Sequence, residues 1–540
     1  MSYDIIIKNG AIIDGTQNPR YFADVAIKDG KIAKIKYTLA ADANKEIDAA
    51  RNIVCPGFID IHSHTDYILP LSGKVESSIQ QGITTQVVGM CGDAMAPIHP
   101  EKVDGVRQFL TSVSPLYETF EFSWNSFSEY LDEMEKVRSA ANSVFFVGYN
   151  NIRIAGGQGY ENRPPTGEEM ILMKAYLKEA LEAGAFGMST GLIYSPQVYA
   201  TTEELIELCK TLAEYGGLYF SHIRGADKNI FNAINEFIEI VEKSGVHSGQ
   251  IAHFKVAGKE VWGMSKKTLE MINKANERGL NITFDQYPYT RGMSNLATSL
   301  PSWALEGGRE KTLERIRDKD IRAKIKKDII EGIEGWENWI KNVGFDGIYI
   351  SMVHTDKWRD IRGNSIAEIT ELKGFHDDWE TYFQLLRDEN LDISITIGSM
   401  SEEDVRKIMK SRYQMVGTDG AGIPAVKGLG AVHPRMFGTY PRFISKYVRQ
   451  EKILSLEEMI RKMTSFPAQK LELRDRGILR EDNWADIVIF NKDKIKDNAT
   501  YDNPHQFPSG IHYVIVNGEI VVDHGKQRRK YPGKVLRRVI

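Results

Sequence analysis

Two histidines separated by one residue, His62 and His64, follow an apolar run in the stretch VCPGFIDIHSHTDY, residues 54–67. In a β-strand, side chains at positions i and i+2 project from the same face. Two imidazoles placed side by side at the end of a strand can bind one metal ion. The spacing therefore predicts a metal site where this strand ends.

Further candidate ligands follow other short apolar runs. His222 lies in GLYFSHI, His253 in GQIAHFK, and Cys91 follows TTQVVGM. Imidazole and thiolate are the ligands that Zn²⁺ commonly takes in proteins. Asp419, in QMVGTD, follows the last of these runs. A carboxylate beside a metal-bound water can accept its proton as general base and later pass it to a leaving amine.

These runs belong to a central region, about residues 56–470, in which short apolar segments alternate with helix-like segments such as GEEMILMKAYLKEALEAG. The alternation is typical of a parallel α/β barrel, in which the chemistry lies at the carboxyl ends of the strands. The candidate strands are TTQVVGM, SVFFVGYN, AFGMST, GLYFSHI, GQIAHFK, NITFDQYPY, ISITIG and QMVGTD. The candidate ligands follow such runs, so the barrel interpretation predicts that they meet at one end of the barrel.

Three other regions differ from this alternation. Residues 1–55 and 471–540 contain short strand-like runs around Asn-Gly and Asp-Gly turns, which favour hairpins. We expect these two ends to pair into one small β domain beside a barrel of residues 56–470. Residues 295–350 contain long, charged, helix-like stretches and are interpreted as an insertion. That insertion is either a charged surface or a lid over the barrel mouth.

The bulk composition excludes several classes of function. The 540 residues carry a formal net charge of −4, which gives no reason to expect a nucleic-acid partner. Three cysteines are too few for a disulfide framework and favour a reducing compartment. The N-terminus lacks the pattern of a signal peptide, and no run approaches the roughly 18 apolar residues of a membrane span. We therefore expect a cytoplasmic protein with no membrane partner; no pattern indicates an oligomeric state.

Four longer stretches carry a resemblance to a known family: GMCGDAMAP, STGLIYSPQVYATTEEL, SHIRG and VHPRMFGTYPRFISKYVR. With the His-x-His pair, they resemble the amidohydrolase superfamily, and within it the D-aminoacylase (N-acyl-D-amino-acid deacylase) family. The resemblance covers nearly the whole chain. It implies an α/β fold, a (β/α)8 TIM barrel of the metal-dependent hydrolase type, with a small β-sandwich domain formed by both termini.

The resemblance also implies a zinc cofactor. One tight site would use Cys91, His222 and His253 as ligands. A second, weaker position would use His62, His64 and Asp419. Many amidohydrolases bridge two metals with a carboxylated lysine, but no lysine stands at the expected strand end here, and Cys91 fits that role.

The implied reaction is hydrolysis of the amide bond of an N-acyl-D-amino acid, giving a carboxylate and a free D-amino acid. Asp419 would be the general acid and base, and Tyr194 would polarise the scissile carbonyl and stabilise its oxyanion. Lys255 would bind the substrate α-carboxylate. Arg291, in FDQYPYTRGMSN, could bind an acidic substrate side chain, bind the α-carboxylate, or lie exposed on its loop. Arg435, in HPRMFG, is a second candidate for substrate binding or for a structural role.

Three other interpretations remain open at this point. A cyclic amidase of the hydantoinase or dihydropyrimidinase type would share the barrel and the metals, but typically carries the bridging lysine. A deaminase of the same superfamily would attack a ring carbon in place of an acyl carbon. A non-catalytic barrel is the least favoured, because it predicts missing ligands, and every expected ligand position is filled.

Overall fold

Short, fully buried strands form the centre of this computed structural model, which describes residues 2–111, 115–426 and 432–539. Consecutive strands of this group pair in parallel, except that Asn142–Phe145 and Val147–Gly148 belong to different sheets. The strands are Phe58–Asp60, Ile83–Val88, Asn142–Phe145, Val147–Gly148, Gly187–Gly191, Leu218–His222, Gly249–Ile251, Ile282–Gln286 and Gln414–Val416. A helix-bearing segment follows most of them, so both faces of each strand are covered, which explains their continuous apolar runs.

The pairings form two parallel sheets whose edges are joined. One residue separates Asn142–Phe145, in the first sheet, from Val147–Gly148, the edge of the second. At the other edges, Ser63 and Gly420 form a parallel bridge, and the Asp419 amide donates to the His62 carbonyl at 2.8 Å. The predicted α/β class is confirmed, and the strands follow one another in the order expected around a barrel.

One predicted barrel strand lies elsewhere. The run ISITIG forms the strand Ser394–Ile397, which pairs antiparallel with Gly292–Asn295 and Ile348–Met352 in a separate sheet. The strands that precede and follow it in the predicted order, Ile282–Gln286 and Gln414–Val416, pair directly with each other. Phe58–Asp60, the strand that precedes His62, joins the parallel strands beside Ile83–Val88. A short apolar run indicates a buried strand but carries no information about which sheet it joins.

The helices connect the strands and begin at polar caps. The longest one, Gly167–Ala183, begins after Thr166, whose hydroxyl accepts from the Glu169 amide, and ends at Gly184 with φ +110°. The α-helices are Glu76–Gln80, Val103–Thr111, Phe127–Val137, Tyr149–Gly156, Gly167–Ala183, Thr202–Glu214, Ile230–Ser244, Ser265–Glu277, Ser302–Leu305, Gly308–Arg317, Lys319–Glu331, Trp339–Val343, Ile366–Lys373, Asp378–Asp388, Glu402–Met409, Arg435–Arg442, Leu456–Met463 and Ser465–Lys470.

One region departs from the alternation of central strands and helices. Residues 292–397 contain the three-stranded antiparallel sheet and six of the helices. Their apolar side chains, including Ile350 and Trp358, form a buried cluster of their own. The predicted insertion, 295–350, lies inside this unit, which has its own core.

Both termini contribute to one further sheet. Its strands are Tyr3–Ile12, Tyr21–Lys28, Lys31–Lys36, Ala43–Asp48, Ile53–Pro56, Ile487–Phe490, Ile511–Val516, Glu519–Asp523 and Lys526–Gln527. The strand Ile53–Pro56 pairs antiparallel with Ile487–Phe490, which joins the two ends of the chain. A short strand near the C-terminus, Val535–Leu536, instead extends the central sheet beside Asn142–Phe145. No helix in the described ranges has both the length and the apolar composition needed to cross a membrane.

Candidate metal centre and active site

The predicted ligands meet at the carboxyl ends of the central strands, with the Cys91 sulfur in the middle. Cys91 Sγ lies 3.5 Å from His62 Nε2, 3.5 Å from His253 Nε2 and 3.8 Å from His222 Nδ1. Cys91, His222 and His253 are all buried. Three imidazole nitrogens around one thiol form a donor set of the kind that zinc prefers.

Asp419 adds a carboxylate to this group. Its Oδ1 atom lies 3.4 Å from His62 Nε2 and 3.2 Å from His64 Nε2. Ligand atoms of His62, Cys91, His253 and Asp419 all lie within 4.8 Å of one another. This buried cluster of nitrogen, sulfur and oxygen donors fits a metal ion.

The backbone at three of these residues has unusual torsion angles. The φ angles of Cys91, His253 and Asp419 are +55°, +35° and +48°, in a region that non-glycine residues seldom occupy. Such conformations persist where the surrounding structure fixes them, and they are frequent at functional sites. At Cys91 the neighbouring strand approaches so closely that a Cβ on Gly191 would lie 2.1 Å from the Cys91 carbonyl oxygen.

Burial determines the protonation of the donors. It lowers the pKa of His222 and of His253 well below the ordinary value, and nearby Lys255 acts in the same direction. Both rings are therefore neutral, with a nitrogen lone pair available for a cation. Burial raises the pKa of the Cys91 thiol well above its ordinary value. A cation at the cluster would favour the thiolate, as metal ligation does in proteins.

Arg435 lies against the carboxylate of Asp419. Its Nη1 atom is 2.7 Å from Asp419 Oδ2, and both side chains are buried. Burial acts to raise the pKa of Asp419, but the Arg435 guanidinium and the neighbouring histidines outweigh it and hold that pKa well below the ordinary value. The carboxylate is therefore ionised and can accept a proton.

Lys255 and Arg435 approach the same aromatic ring. Lys255 Nζ lies 2.7 Å from His253 Nδ1 and 5.9 Å from the centre of the Tyr287 ring, while the Arg435 guanidinium lies 4.8 Å from that centre. All three residues line the same cavity. Sequence reasoning did not single out Tyr287, although it follows the strand Ile282–Gln286 directly, as the predicted ligands follow theirs.

Tyr194 faces the donors from another loop. Its ring packs edge-on against His222, with 5.0 Å between ring centroids. Tyr194 also lines the cavity, whose volume is 720 Å³. The structure thus brings together His62, His64, Cys91, Tyr194, His222, His253, Lys255, Asp419 and Arg435.

Arg291 lies apart from this group. Its guanidinium is held between two aromatic rings, 3.7 Å from the centre of Tyr349 and 4.5 Å from that of Tyr501. Its carbonyl accepts a hydrogen bond from His433 Nε2 at 3.0 Å. Arg291 is not among the described residues that line the cavity.

Asp285 is a supporting residue that sequence reasoning missed. Its carboxylate accepts from the His253 amide and from Gln250 Nε2, each at 2.8 Å, and lies 3.1 Å from His62 Nδ1. A carboxylate on Nδ1 fixes that nitrogen as the protonated one and leaves Nε2 for a metal. The available signal was a single acidic residue inside an otherwise uncharged buried strand, ITFDQ.

Comparison with known proteins identifies the family of this chain. The profile of the amidohydrolase family matches residues 45–522, most of the chain. The chain belongs to the amidohydrolase family.

The similar amidohydrolases extend over the full length of the chain. An N-acyl-D-glutamate deacylase from Alcaligenes xylosoxydans xylosoxydans is 32% identical over 99% of this chain and 96% of its own. A D-aminoacylase from the same organism is 30% identical over 99% of this chain and 98% of its own. An N-acyl-D-glutamate deacylase from Bordetella bronchiseptica, solved with zinc and a phosphonate mimic of the tetrahedral intermediate, matches with a TM-score of 0.82 and 30% identity. That match covers 99% of this chain and 100% of the solved one, and the predicted resemblance is confirmed.

Proposed function

We propose that this amidohydrolase hydrolyses the amide bond of N-acyl-D-amino acids and uses zinc as its cofactor. The observation that carries the proposal is the Cys91 sulfur among three imidazole nitrogens, beside an ionised Asp419. Its full-length similarity to deacylases of N-acyl-D-amino acids supports the same reaction. The central position of Cys91 favours this reaction over that of a cyclic amidase, which typically carries a carboxylated lysine there.

The proposed zinc ligands are side chains that lie close to Cys91 and Asp419, divided between two positions as the family resemblance implies. Cys91, His222 and His253 would hold one ion tightly, and His62, His64 and Asp419 would form a weaker position that shares Cys91. When bound, zinc polarises an acyl carbonyl and lowers the pKa of a water molecule.

The side chains of this protein move the protons and hold the developing charge. Asp419 accepts a proton as water adds to the acyl carbon. The Tyr194 hydroxyl donates a hydrogen bond to the carbonyl oxygen as that oxygen becomes negative. The proton on Asp419 then passes to the amide nitrogen and the carbon–nitrogen bond breaks. The carboxylic acid that forms gives its proton to the amine, so a carboxylate and an ammonium group leave. One water is consumed for each amide.

Lys255 and Arg435 provide positive charge for the substrate α-carboxylate beside the Tyr287 ring. Arg435 also pairs with Asp419 Oδ2. One guanidinium would therefore contact both the general base and the substrate α-carboxylate. The position of Arg291 between Tyr349 and Tyr501 favours neutral over acidic amino-acid side chains, because that arginine does not line the cavity.

The proposal extends to the organisation and location of the chain. Residues 1–55 and 471–540 form the β domain, and residues 56–470 form the catalytic barrel with its insertion. Insertion residues Thr298, Leu305 and Trp339 line the cavity, which supports a lid at 295–350. The three cysteines are free and buried, as expected in the cytoplasm.

The test is release of free amine from N-acetyl amino acids of both chiralities by zinc-loaded protein. The panel contains methionine, leucine, phenylalanine, glutamate and aspartate derivatives. Turnover of the D-enantiomers, with neutral side chains preferred, is the expected result. Hydrolysis of the L-enantiomers alone, or of none, would overturn the assignment.

A further inference from the structure

The two oxygens of Asp419 divide the cavity into two sides. Oδ2 faces Arg435, at 2.7 Å, and Oδ1 faces His64, at 3.2 Å. If the substrate α-carboxylate lies on the Arg435 side, as the proposed function has it, the opposite side, toward His64, is open to the acyl group. The residues beyond His64 therefore determine which acyl groups fit.

Beyond His64 one stretch of the cavity wall is apolar, although Ser72 and Asp93 also line the cavity nearby. The His64 ring stacks on Tyr67, with centroids 5.7 Å apart and planes inclined by 4°. Ile68 and Leu71 follow in the same turn, and the Leu71 amide donates to the Ile68 carbonyl at 2.9 Å. Tyr67, Ile68 and Leu71 all line the cavity, and Leu71 is 40% exposed. This wall leads from the metal donors to the protein surface.

A second segment continues the wall at the mouth. The Tyr117 hydroxyl donates to the Tyr67 carbonyl, and Arg107 Nη1 donates to the Tyr117 carbonyl at 3.0 Å, so the segment Pro115–Glu118 is fixed against the first one. Leu116 of this segment lines the cavity and is 63% exposed. We call Tyr67, Ile68, Leu71, Phe109, Leu116 and Ile423 the acyl strip; all six line the cavity.

Exposed leucines on a cavity wall need an explanation, since apolar patches at the rim of a site mark ligand-binding surfaces. All six residues of the acyl strip are uncharged. Arg309 borders the strip beside Gln108, but its Nη2 already donates to the Gln108 carbonyl at 3.2 Å and to Thr111 Oγ1 at 3.0 Å. A short acyl group such as acetyl would reach the donors and leave most of the strip exposed to water.

We infer that the acyl strip binds a medium- to long-chain unbranched fatty acyl group, so that the preferred substrates are N-fatty-acyl D-amino acids. The cavity volume of 720 Å³ falls within the range of about 300–1,000 Å³ that accommodates ligands of this size. Full burial of one methylene contributes about 0.8 kcal/mol, roughly a 4-fold gain in affinity. On an open strip we expect about half of that free energy, or roughly 2-fold for each methylene.

The first experiment measures kcat/KM for N-acetyl-, N-butyryl-, N-hexanoyl- and N-octanoyl-D-leucine with zinc-loaded protein. We expect kcat/KM to rise with chain length, by on the order of 50-fold from acetyl to octanoyl. Leu71→Gln and Leu116→Gln should each lower the octanoyl-to-acetyl ratio by about 3- to 10-fold. Leu372→Gln is the matched control, because Leu372 is 60% exposed on the helix Ile366–Lys373, outside the cavity, and the ratio should not change.

A second measurement separates this inference from the proposed function. Titration calorimetry of the zinc-loaded Asp419→Asn variant with N-acetyl- and N-octanoyl-D-leucine reports binding without turnover. Tighter binding of the octanoyl compound to this variant would support the acyl strip. If the unmodified protein hydrolysed no D-substrate, that binding would still support the strip, while the deacylase assignment would be overturned. The inference would be overturned if the octanoyl compound were neither hydrolysed with a higher kcat/KM nor bound more tightly than the acetyl compound. Leu71 and Leu116 variants that behave like the Leu372 control would also overturn it.

Discussion

At the carboxyl ends of the central strands, buried polar side chains face one another, whereas two buried lysines at the amino ends face backbone carbonyls. Cys91 Sγ has imidazole nitrogens of His62 and His253 at 3.5 Å. At the opposite end, Lys470 Nζ donates to the carbonyls of Gly249 and Asn281, at 2.8 and 3.2 Å. Lys462 likewise donates to the carbonyls of Ser411 and Gln414.

The two ends of the same strands therefore serve different purposes: the amino ends contribute to stability and the carboxyl ends to function. The lysines satisfy backbone carbonyls where strands begin, so each buried amine has its partners within the chain. The donors at the carboxyl ends converge on a shared space and are suited to an added cation. This agrees with the general division of parallel barrels, in which the carboxyl-terminal face carries catalysis and the amino-terminal face carries stability.

Of three substitutions that test the difference between the two ends of the strands, Cys91→Ala should have the largest effect on zinc content and turnover. The substitution removes the sulfur that contacts three histidines, so we expect zinc content to fall below one tenth of an equivalent and turnover to be lost, while the protein stays folded. Metal analysis and circular dichroism measure the two properties. Cys209→Ala, at a buried cysteine in the helix Thr202–Glu214, is the control and should retain zinc. Equal zinc loss in both variants would contradict the assigned site.

Asp419→Asn should abolish chemistry without emptying the tight site. An amide cannot accept the proton that the ionised carboxylate accepts, so kcat should fall by about 10³-fold. The Cys91, His222 and His253 donors remain, and the zinc content should stay near that of the unmodified protein. Steady-state kinetics with paired metal analysis test this; near-normal kcat would exclude Asp419 as general base.

Lys470→Met should have the smallest effect of the three substitutions. It should lower the free energy of unfolding and change how that free energy depends on pH. Burial lowers the pKa of Lys470 to about 7, whereas an unfolded lysine titrates near 10.5. Between these values the unfolded chain binds a proton that the folded chain has released, so the free energy of unfolding rises with pH, by up to ~1.4 kcal/mol per unit. The variant lacks this contribution and leaves two carbonyls unpaired, at a cost of about 1–3 kcal/mol.

Urea denaturation at pH 7, 8 and 9 measures the effect of Lys470→Met. The loss of stability should be larger at pH 9 than at pH 7, and kcat of the folded variant should match that of the unmodified protein. Lys266→Met, at an exposed lysine, is the control and should show neither change. A loss that is independent of pH would show that Lys470 is charged in the folded state.

The metal donors could be predicted because each follows a short apolar run, and because His62 and His64 have the i, i+2 spacing of one strand face. Asp285 could not be predicted in the same way, since its role depends on the approach of His62, His253 and Gln250 from other strands. Tyr287 was missed for a similar reason: the two cations that approach its ring come from separate parts of the chain.

Two features show where sequence patterns lose information. The strand Ser394–Ile397 has the apolar composition of a barrel strand, yet it pairs within the insertion, because composition does not determine strand pairing. Arg291 follows a strand end as the ligands do, but its guanidinium packs between Tyr349 and Tyr501. Whether a polar residue after a strand reaches a shared site depends on aromatic partners that come from distant segments.

The most direct test of the account is anomalous diffraction at the zinc edge from crystals of the zinc-loaded protein. We predict a strong peak about 2.3 Å from Cys91 Sγ and about 2.0–2.1 Å from nitrogens of His222 and His253. A peak only elsewhere on the protein, or none at the carboxyl ends of the central strands, would contradict the claim that this end of the molecule is a zinc-dependent active site.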